Sequence, residues 1–286
     1  MNPYTDPYKD FPLYAENELR GTEGMSVRLI DYSANPYYVI ATGQSVSWRP
    51  WKRKFQGKEI MELMEKIVGG KVWAGQIFDA LSFTFLIENI SRATTHQLVR
   101  ARIGASFMQE SGREGKWDEC KFITPLTILE DNIIHKAYVE CMKNEFEFYS
   151  NLKLGLIPPQ DARFAVGHGI AQNMWMTMNM TALMNWCSKR LCTTMQWEIN
   201  TLARMIRDSV LEKYPLLGLF LKSSCERNGG CKSITNFYGV GAEFNGNKVY
   251  FPLEGNLCGK AGIYSEDEVY FMVSNEKIKI LEGKYE

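Results

Sequence analysis

Polar and apolar positions alternate along SVRLIDYSANP (26–36), which predicts a strand ending at the Asn-Pro turn. LSFTFLIENI (81–90) is almost continuously apolar, the pattern of a strand buried on both faces. Between them KEIMELMEKIVGG (58–70) has helical spacing and is stopped by paired glycines. SRATTHQLVRAR (91–102) predicts another helix, and residues 125–152, rich in apolar and acidic positions, predict a long helical stretch. Pro158 and Pro159 open a further helix, which carries Arg163. The segment 179–215 reads as two helices. Thr181 is placed to cap the first, and Thr193 with Gln196 has capping-box spacing before the second, whose apolar stripe is Leu202, Met205, Ile206 and Val210. Beyond Pro215 the runs KVYFPL, EVYFMV and KIKIL predict short strands among glycines and cysteines. The pattern is that of an α/β (α+β) protein, a mixed sheet with long helices, divided into an N-terminal arm (1–24), a main domain (25–222) and a small Cys-containing C-terminal extension (223–286).

Composition narrows the function classes. The 286 residues carry a formal net charge of zero, which argues against a general nucleic-acid coat protein and makes nucleic acid an unexpected partner. No apolar run approaches the roughly 20 residues of a membrane span, and the first residues are polar, with no signal-peptide core. Seven irregularly spaced cysteines suggest a cytoplasmic protein with reduced thiols.

The densest chemistry lies in RARIGASFMQESGRE (100–114). Gln97 and Arg100 stand three apart, the spacing of one helix face. Gly104 and Gly112 permit tight turns, and Ser106, Gln109, Ser111 and Arg113 add donors. Guanidinium forks beside amides and hydroxyls suit a phosphate. The competing reading is a charged loop paired with its own glutamates. A serine hydrolase is disfavoured, because none of the three histidines (His96, His135, His168) pairs recognisably with Ser111. WRPWKRKF (48–55) interleaves aromatics with cations and reads either as a base-stacking surface or as a tryptophan-anchored loop with solvated charges.

SRATTHQLVRAR with its Ser-Gly-Arg loop resembles the signature of the flavin-dependent thymidylate synthases, the ThyX family, in which Arg-His-Arg is followed after seven residues by Ser. SVRLIDYSANP, SFTFLIENISRATTHQLVR and NWCSKRLCTTMQWEI resemble, in order, three other segments of that family. The resemblance implies the ThyX-type fold, a homotetramer with shared active sites, FAD as cofactor, methylene-tetrahydrofolate and NADPH as co-substrates, and C5 methylation of a pyrimidine nucleoside monophosphate. Position by position it implies substrate contacts at Gln97, Arg100, Gln109, Ser111, Gly112, Arg113 and Arg163. It implies catalytic ring activation by Arg190, and flavin contacts at Arg100, Arg102, Asn179 and Asn185. The chain departs from the pattern in several places: Ala101 replaces the middle histidine, the spacer to Ser111 has eight residues, and Gln109 and Glu114 stand where Glu and Tyr are usual. Ala74, Asp79 and Ala80 replace the His-x-Ser-x-x-Glu-His set, and Thr181 stands at a position often held by arginine. These losses fall among flavin and folate groups while nucleotide groups persist. Altered chemistry, such as hydroxymethylation or a UMP or dCMP substrate, and non-catalytic nucleotide or nucleic-acid binding therefore stand as alternatives. Cys225, Cys231 and Cys258, with Cys192 or another ligand, offer enough thiolates for a structural zinc; buried or free thiols are the alternative.

Overall fold

The computed structural model describes residues 14–47, 51–52, 54–113, 117, 120–192 and 194–228. Four strands, β2 (Ser26–Tyr32), β3 (Ser82–Ser91), β4 (Ala105–Gln109) and β6 (Ala171–Asn179), form one sheet in the order β2-β3-β6-β4. A two-stranded parallel pair joins β1 (Glu18–Arg20) to β5 (Phe122–Thr124). The mixed α/β class expected from the pattern is therefore the one observed. Residues 18–20, inside the segment read as an arm, instead form the fully buried strand β1. Contact density divides the described residues into two compact units, one drawn from 14–28, Phe85–Arg102 and Ser106–Met176, the other from Leu29–Thr84, Ile103–Ala105 and 177–228.

In the first unit the long helix α5 (Asn132–Leu154), preceded by the single turn α4 (Leu126–Leu129), supplies the core. The side chain of Asp131 opens α5 by accepting from the Ile133 and Ile134 amides at 2.8 and 3.1 Å. Val139, Met142, Phe146 and Tyr149 point one way from it and pack with Trp117, Phe122, Ala162 and Ile170. Glu18 on β1 is buried beside His135, with Oε1 at 2.5 Å from Nε2 and accepting from the Thr124 hydroxyl at 2.7 Å. The helix expected over 91–102 is shorter, α3 (Arg92–Leu98). Ser91 caps it by accepting from the Thr94 amide at 3.0 Å, and the chain turns out of it before Arg100, so Arg100 and Arg102 lie beyond the helix.

In the second unit α1 (Pro36–Val46), α2 (Gly57–Val68), α7 (Met180–Arg190) and α8 (Trp197–Lys213) share an apolar core with the turn α9 (Pro215–Gly218). Tyr214 sits at its centre, 1% exposed, edge-on to Tyr32, Tyr37 and Phe83, with its hydroxyl on the carbonyls of Ser33 and Ala34 at 3.0 and 3.1 Å. Two expected caps differ. Asn179, not Thr181, caps α7, its Oδ1 accepting from the Ala182 amide at 2.8 Å. Gln196 caps α8 by accepting from the Ile199 amide at 3.1 Å, while Thr193 lies outside the described residues. Both outcomes follow from the preceding backbone being extended at Asn179 and Gln196, which aims their carbonyl oxygens back at the first free amides. Asn179→Ala is expected to lower the unfolding free energy by about 1 kcal/mol in urea denaturation.

The basic stretch 48–55 is described only in part. There Lys52 pairs with Glu59 in the first turn of α2 and lies over the Phe55 ring at 5.3 Å, so this cation is committed to the fold. The last described helix, α10 (Ser224–Asn228), follows α9 closely. The Cys225 side chain, Cys231 and Cys258 lie outside the described residues, and so does the strand-like part of the C-terminal extension.

Candidate active site

Two constellations contain the candidate residues, one in each unit. In the first unit the organising element is α3. Arg92, His96 and Arg100 follow one another at intervals of four residues, so the first two share a face of the helix, and Arg100, just past its end, stays near His96. The Arg92 guanidinium lies over the Trp117 ring at 5.4 Å. That ring in turn closes on Gly112: a methyl group there would stand 2.5 Å from Trp117 and 3.2 Å from the Arg163 side chain. Glycine at 112 is thus required by close approach, and the approach brings the Ser-Gly-Arg loop against Arg163. Arg163 follows the short helix α6 (Pro159–Ala162), with Nε donating to the Gln160 carbonyl at 3.0 Å.

The electrostatics of this cluster are one-sided. Burial first, and the Arg163 charge second, pull the Arg92 pKa down. His96 is held below the ordinary imidazole value by burial and then by Arg92, His168 and Arg100. Among the described residues none of these five groups is ion-paired with a carboxylate. Arg92 and Arg163, gathered without an ion-paired carboxylate among the described residues, repel each other, and an anion relieves that repulsion. Arg92 was not among the residues singled out from sequence, although its spacing to His96 and Arg100 signalled it.

The other expected substrate residues are placed as follows. Gln97 is half-buried on α3. Gln109 ends β4 and donates from Nε2 to Thr95 Oγ1 at 3.1 Å and to Gln172 Oε1 at 3.0 Å, so its amide hydrogens are used within the protein. The Ser111 hydroxyl accepts from the Arg113 amide at 3.2 Å and shapes the loop. Arg102 and Arg113 are exposed.

In the second unit one of the expected flavin residues, Asn185, lines a cavity of about 740 Å³. Its wall includes Trp73, Gln76, Asp79, Thr181, Asn185 and Arg227. This volume is of the size that takes a cofactor or drug-sized ligand. Trp73 is 85% exposed and its ring rests on Gly75, where a methyl group would stand 2.4 Å from it. Thr181 Oγ1, on this wall, is buried without a hydrogen-bond partner among the described residues. An aromatic plate, amides and an orphaned hydroxyl fit a flat heteroaromatic group with polar edges. Asn185 lines the cavity directly. Asn179 acts through the backbone instead: Oδ1 caps α7, Nδ2 reaches Asp79 Oδ1 at 3.4 Å, and its amide donates to the Gly104 carbonyl at 2.9 Å. Gly104 has φ +70° and no room for a side chain, since a methyl group there would stand 2.6 Å from the Asn179 amide. Gly104, within the eight-residue spacer, therefore packs against the start of α7.

Arg190 ends α7, half-buried. Burial pulls its pKa down. Its Nη1 approaches Met195 Sδ at 3.7 Å, and its carbonyl accepts from Asn200 Nδ2 at 2.8 Å, which pins the turn into α8. Among the described residues no group of three or more metal-ligating side chains occurs, and no helix is long and apolar enough to cross a membrane.

Residues 28–216 match the family model described as Thymidylate synthase complementing protein. The chain is 31% identical over 252 residues to a flavin-dependent thymidylate synthase of Clostridium tetani, covering 81% of this chain and all of that protein. It is 33% identical over 210 residues to the flavin-dependent thymidylate synthase of Sulfurisphaera tokodaii, covering 70% of this chain and 79% of that protein. Among solved structures it is similar in fold to the UMP/dUMP methylase PolB from Streptomyces cacaoi bound with 5-Br dUMP. That likeness has a TM-score of 0.57 at 21% identity and covers 68% of this chain and 94% of PolB.

Proposed function

The chain belongs to the thymidylate synthase complementing protein family, and on that footing we propose that it is a flavin-dependent thymidylate synthase that methylates C5 of dUMP. The observation that carries the substrate assignment is the gathering of Arg92 and Arg163 around Gly112 and Trp117, with Arg100 near Arg92's helix neighbour His96, cationic and without ion-paired carboxylates among the described residues. Arg100, Arg163 and Arg92 hold the 5′-phosphate, with Gln97, Ser111, Gly112 and Arg113 completing the cradle. Gln109, its amide hydrogens already used, offers its carbonyl oxygen to the nucleotide.

Uracil C5 is a weak nucleophile. Arg190 stabilises negative charge on the N3–C4–O4 edge as the ring is activated, and it does so as a permanent cation that takes no proton itself. Its half-buried position strengthens that interaction relative to water. Trp73, Thr181 and Asn185 would hold the flavin as FAD in the cavity they line, with Asn179 setting the course of α7. When bound, the reduced flavin supplies the hydride, while methylene-tetrahydrofolate supplies the carbon and NADPH the reducing equivalents. The enzyme works as a homotetramer.

Incubating the purified protein with FAD, NADPH, methylene-tetrahydrofolate and dUMP is expected to yield TMP, read as one added methyl by product mass. UMP run in parallel tests ribose acceptance. A flavin spectrum absent even after FAD addition, together with no mass gain on either nucleotide, would overturn the assignment. Arg163→Ala is expected to weaken dUMP binding about 10- to 100-fold by calorimetry, the loss of one charge-assisted phosphate contact.

A further inference from the structure

His168 approaches α3 from the segment that leads into β6. Two backbone bonds fix the crossing: the Ala93 amide donates to the His168 carbonyl at 3.2 Å, and the Arg92 amide to the Ile170 carbonyl at 3.0 Å. The imidazole of His168 then meets that of His96 edge to face, with ring centroids 5.4 Å apart. Both rings are exposed. His96 lies beside the guanidiniums of Arg92 and Arg100, and Arg163 lies near Arg92. Nothing in the methylation reaction as derived above uses either ring.

Two adjacent imidazoles would ordinarily suggest a metal, but three neighbouring guanidiniums repel a cation and favour the opposite charge. A phosphate monoester near neutral pH carries close to two negative charges and three acceptor oxygens, more than one guanidinium fork satisfies. We propose that His96 and His168 are additional ligands of the substrate phosphate, each donating a ring N–H as imidazolium, so that nucleotide binding draws protons onto the pair. The proposal rests on the nucleotide reading and deepens it.

The sign of the linkage follows from the surroundings. Without ligand, burial and the charges of Arg92, His168 and Arg100 hold His96 below the ordinary value of 6.5, so the ring is neutral at pH 7. A bound dianion favours the protonated ring and moves its pKa upward. Binding is therefore favoured on the acid side, and the histidine contribution fades as pH rises through the bound-state value.

The chain has only three histidines, so each imidazole is assignable by ¹⁵N NMR. Inorganic sulfate is the first probe, because it stays dianionic throughout the titration and any pH dependence belongs to the protein. Sulfate and dUMP are expected to move the midpoint of His96 upward and to shift the ring-nitrogen signals of His96 and His168, while the signals of buried His135 stay in place. By calorimetry, H96Q and H168Q should each bind dUMP about 10- to 100-fold more weakly than the parent at pH 6, with the ratio shrinking at pH 8. Taking the ratio to the parent cancels the titration of the phosphate itself. Midpoints unmoved by either ligand, with Arg163→Ala still weakening dUMP, would sink the histidine role and leave the nucleotide reading intact. Midpoints moved by sulfate, with no dUMP binding at all, would keep the histidine anion site and remove the nucleotide reading.

Discussion

Replacing Arg190 by alanine is expected to lower kcat for dUMP methylation by about 100- to 1000-fold, the scale observed when one preorganised charge-stabilising donor is removed. The fold should persist. Arg190 closes α7, alanine is a good helix former, and the bond from Asn200 to residue 190 uses the backbone carbonyl, which the substitution keeps. The dissociation constant for dUMP should change much less than kcat, because the phosphate is held by other residues. Arg190→Lys is expected to recover only part of the rate, since a point charge replaces a planar fork. Steady-state kinetics with a calorimetric Kd separates the two effects. Turnover by Arg190→Ala within about threefold of the parent would remove Arg190 from the chemistry.

The second large effect is on stability. Phe122 is fully buried on β5, with its ring 6.1 Å from Tyr138 and 6.2 Å from Phe146. Phe122→Ala is expected to cost about 3–5 kcal/mol, combining lost burial with the cavity left behind. The damage should reach the phosphate cluster as well. β5 holds the loop that carries His168: the Ile123 amide donates to the Gly169 carbonyl at 2.8 Å, and the Ala171 amide to the Lys121 carbonyl at 2.8 Å. Urea denaturation followed by circular dichroism measures the first effect and dUMP calorimetry the second. A loss below about 1 kcal/mol would show that the surrounding core closes over the vacancy.

Where the chain carries a strong period, sequence and structure agree. α2, with its apolar face and paired glycines, and β3, with its unbroken apolar run, lie within a residue or two of the expected bounds. β6 was missed although Met174, Met176 and Met178 alternate with Asn173, Trp175 and Thr177, because methionine is not a strand-forming residue and hides the period of two. α3 was overextended, because the apolar spacing continues past Leu98 while the backbone turns away. For the site, the resemblance marked the residues at 97–113, 163, 179, 185 and 190, but not what each atom does. Asn179 illustrates this: its amide is taken by a helix cap and by Asp79, which depends on long-range packing that no local pattern encodes. Arg92 shows the reverse, a residue whose spacing was legible and whose role emerged only when Trp117 and Arg163 came to it.

Cys187 is fully buried on α7, and burial pushes its thiol up to about 12. At pH 8 only about one such thiol in ten thousand is ionised at a time, too few to react with alkylating reagents while the fold holds. Cys141, by contrast, is exposed on α5. A maleimide dye or spin label added at that pH would reach Cys141 well before Cys187, and late modification of Cys187 would time the opening of the α7 core.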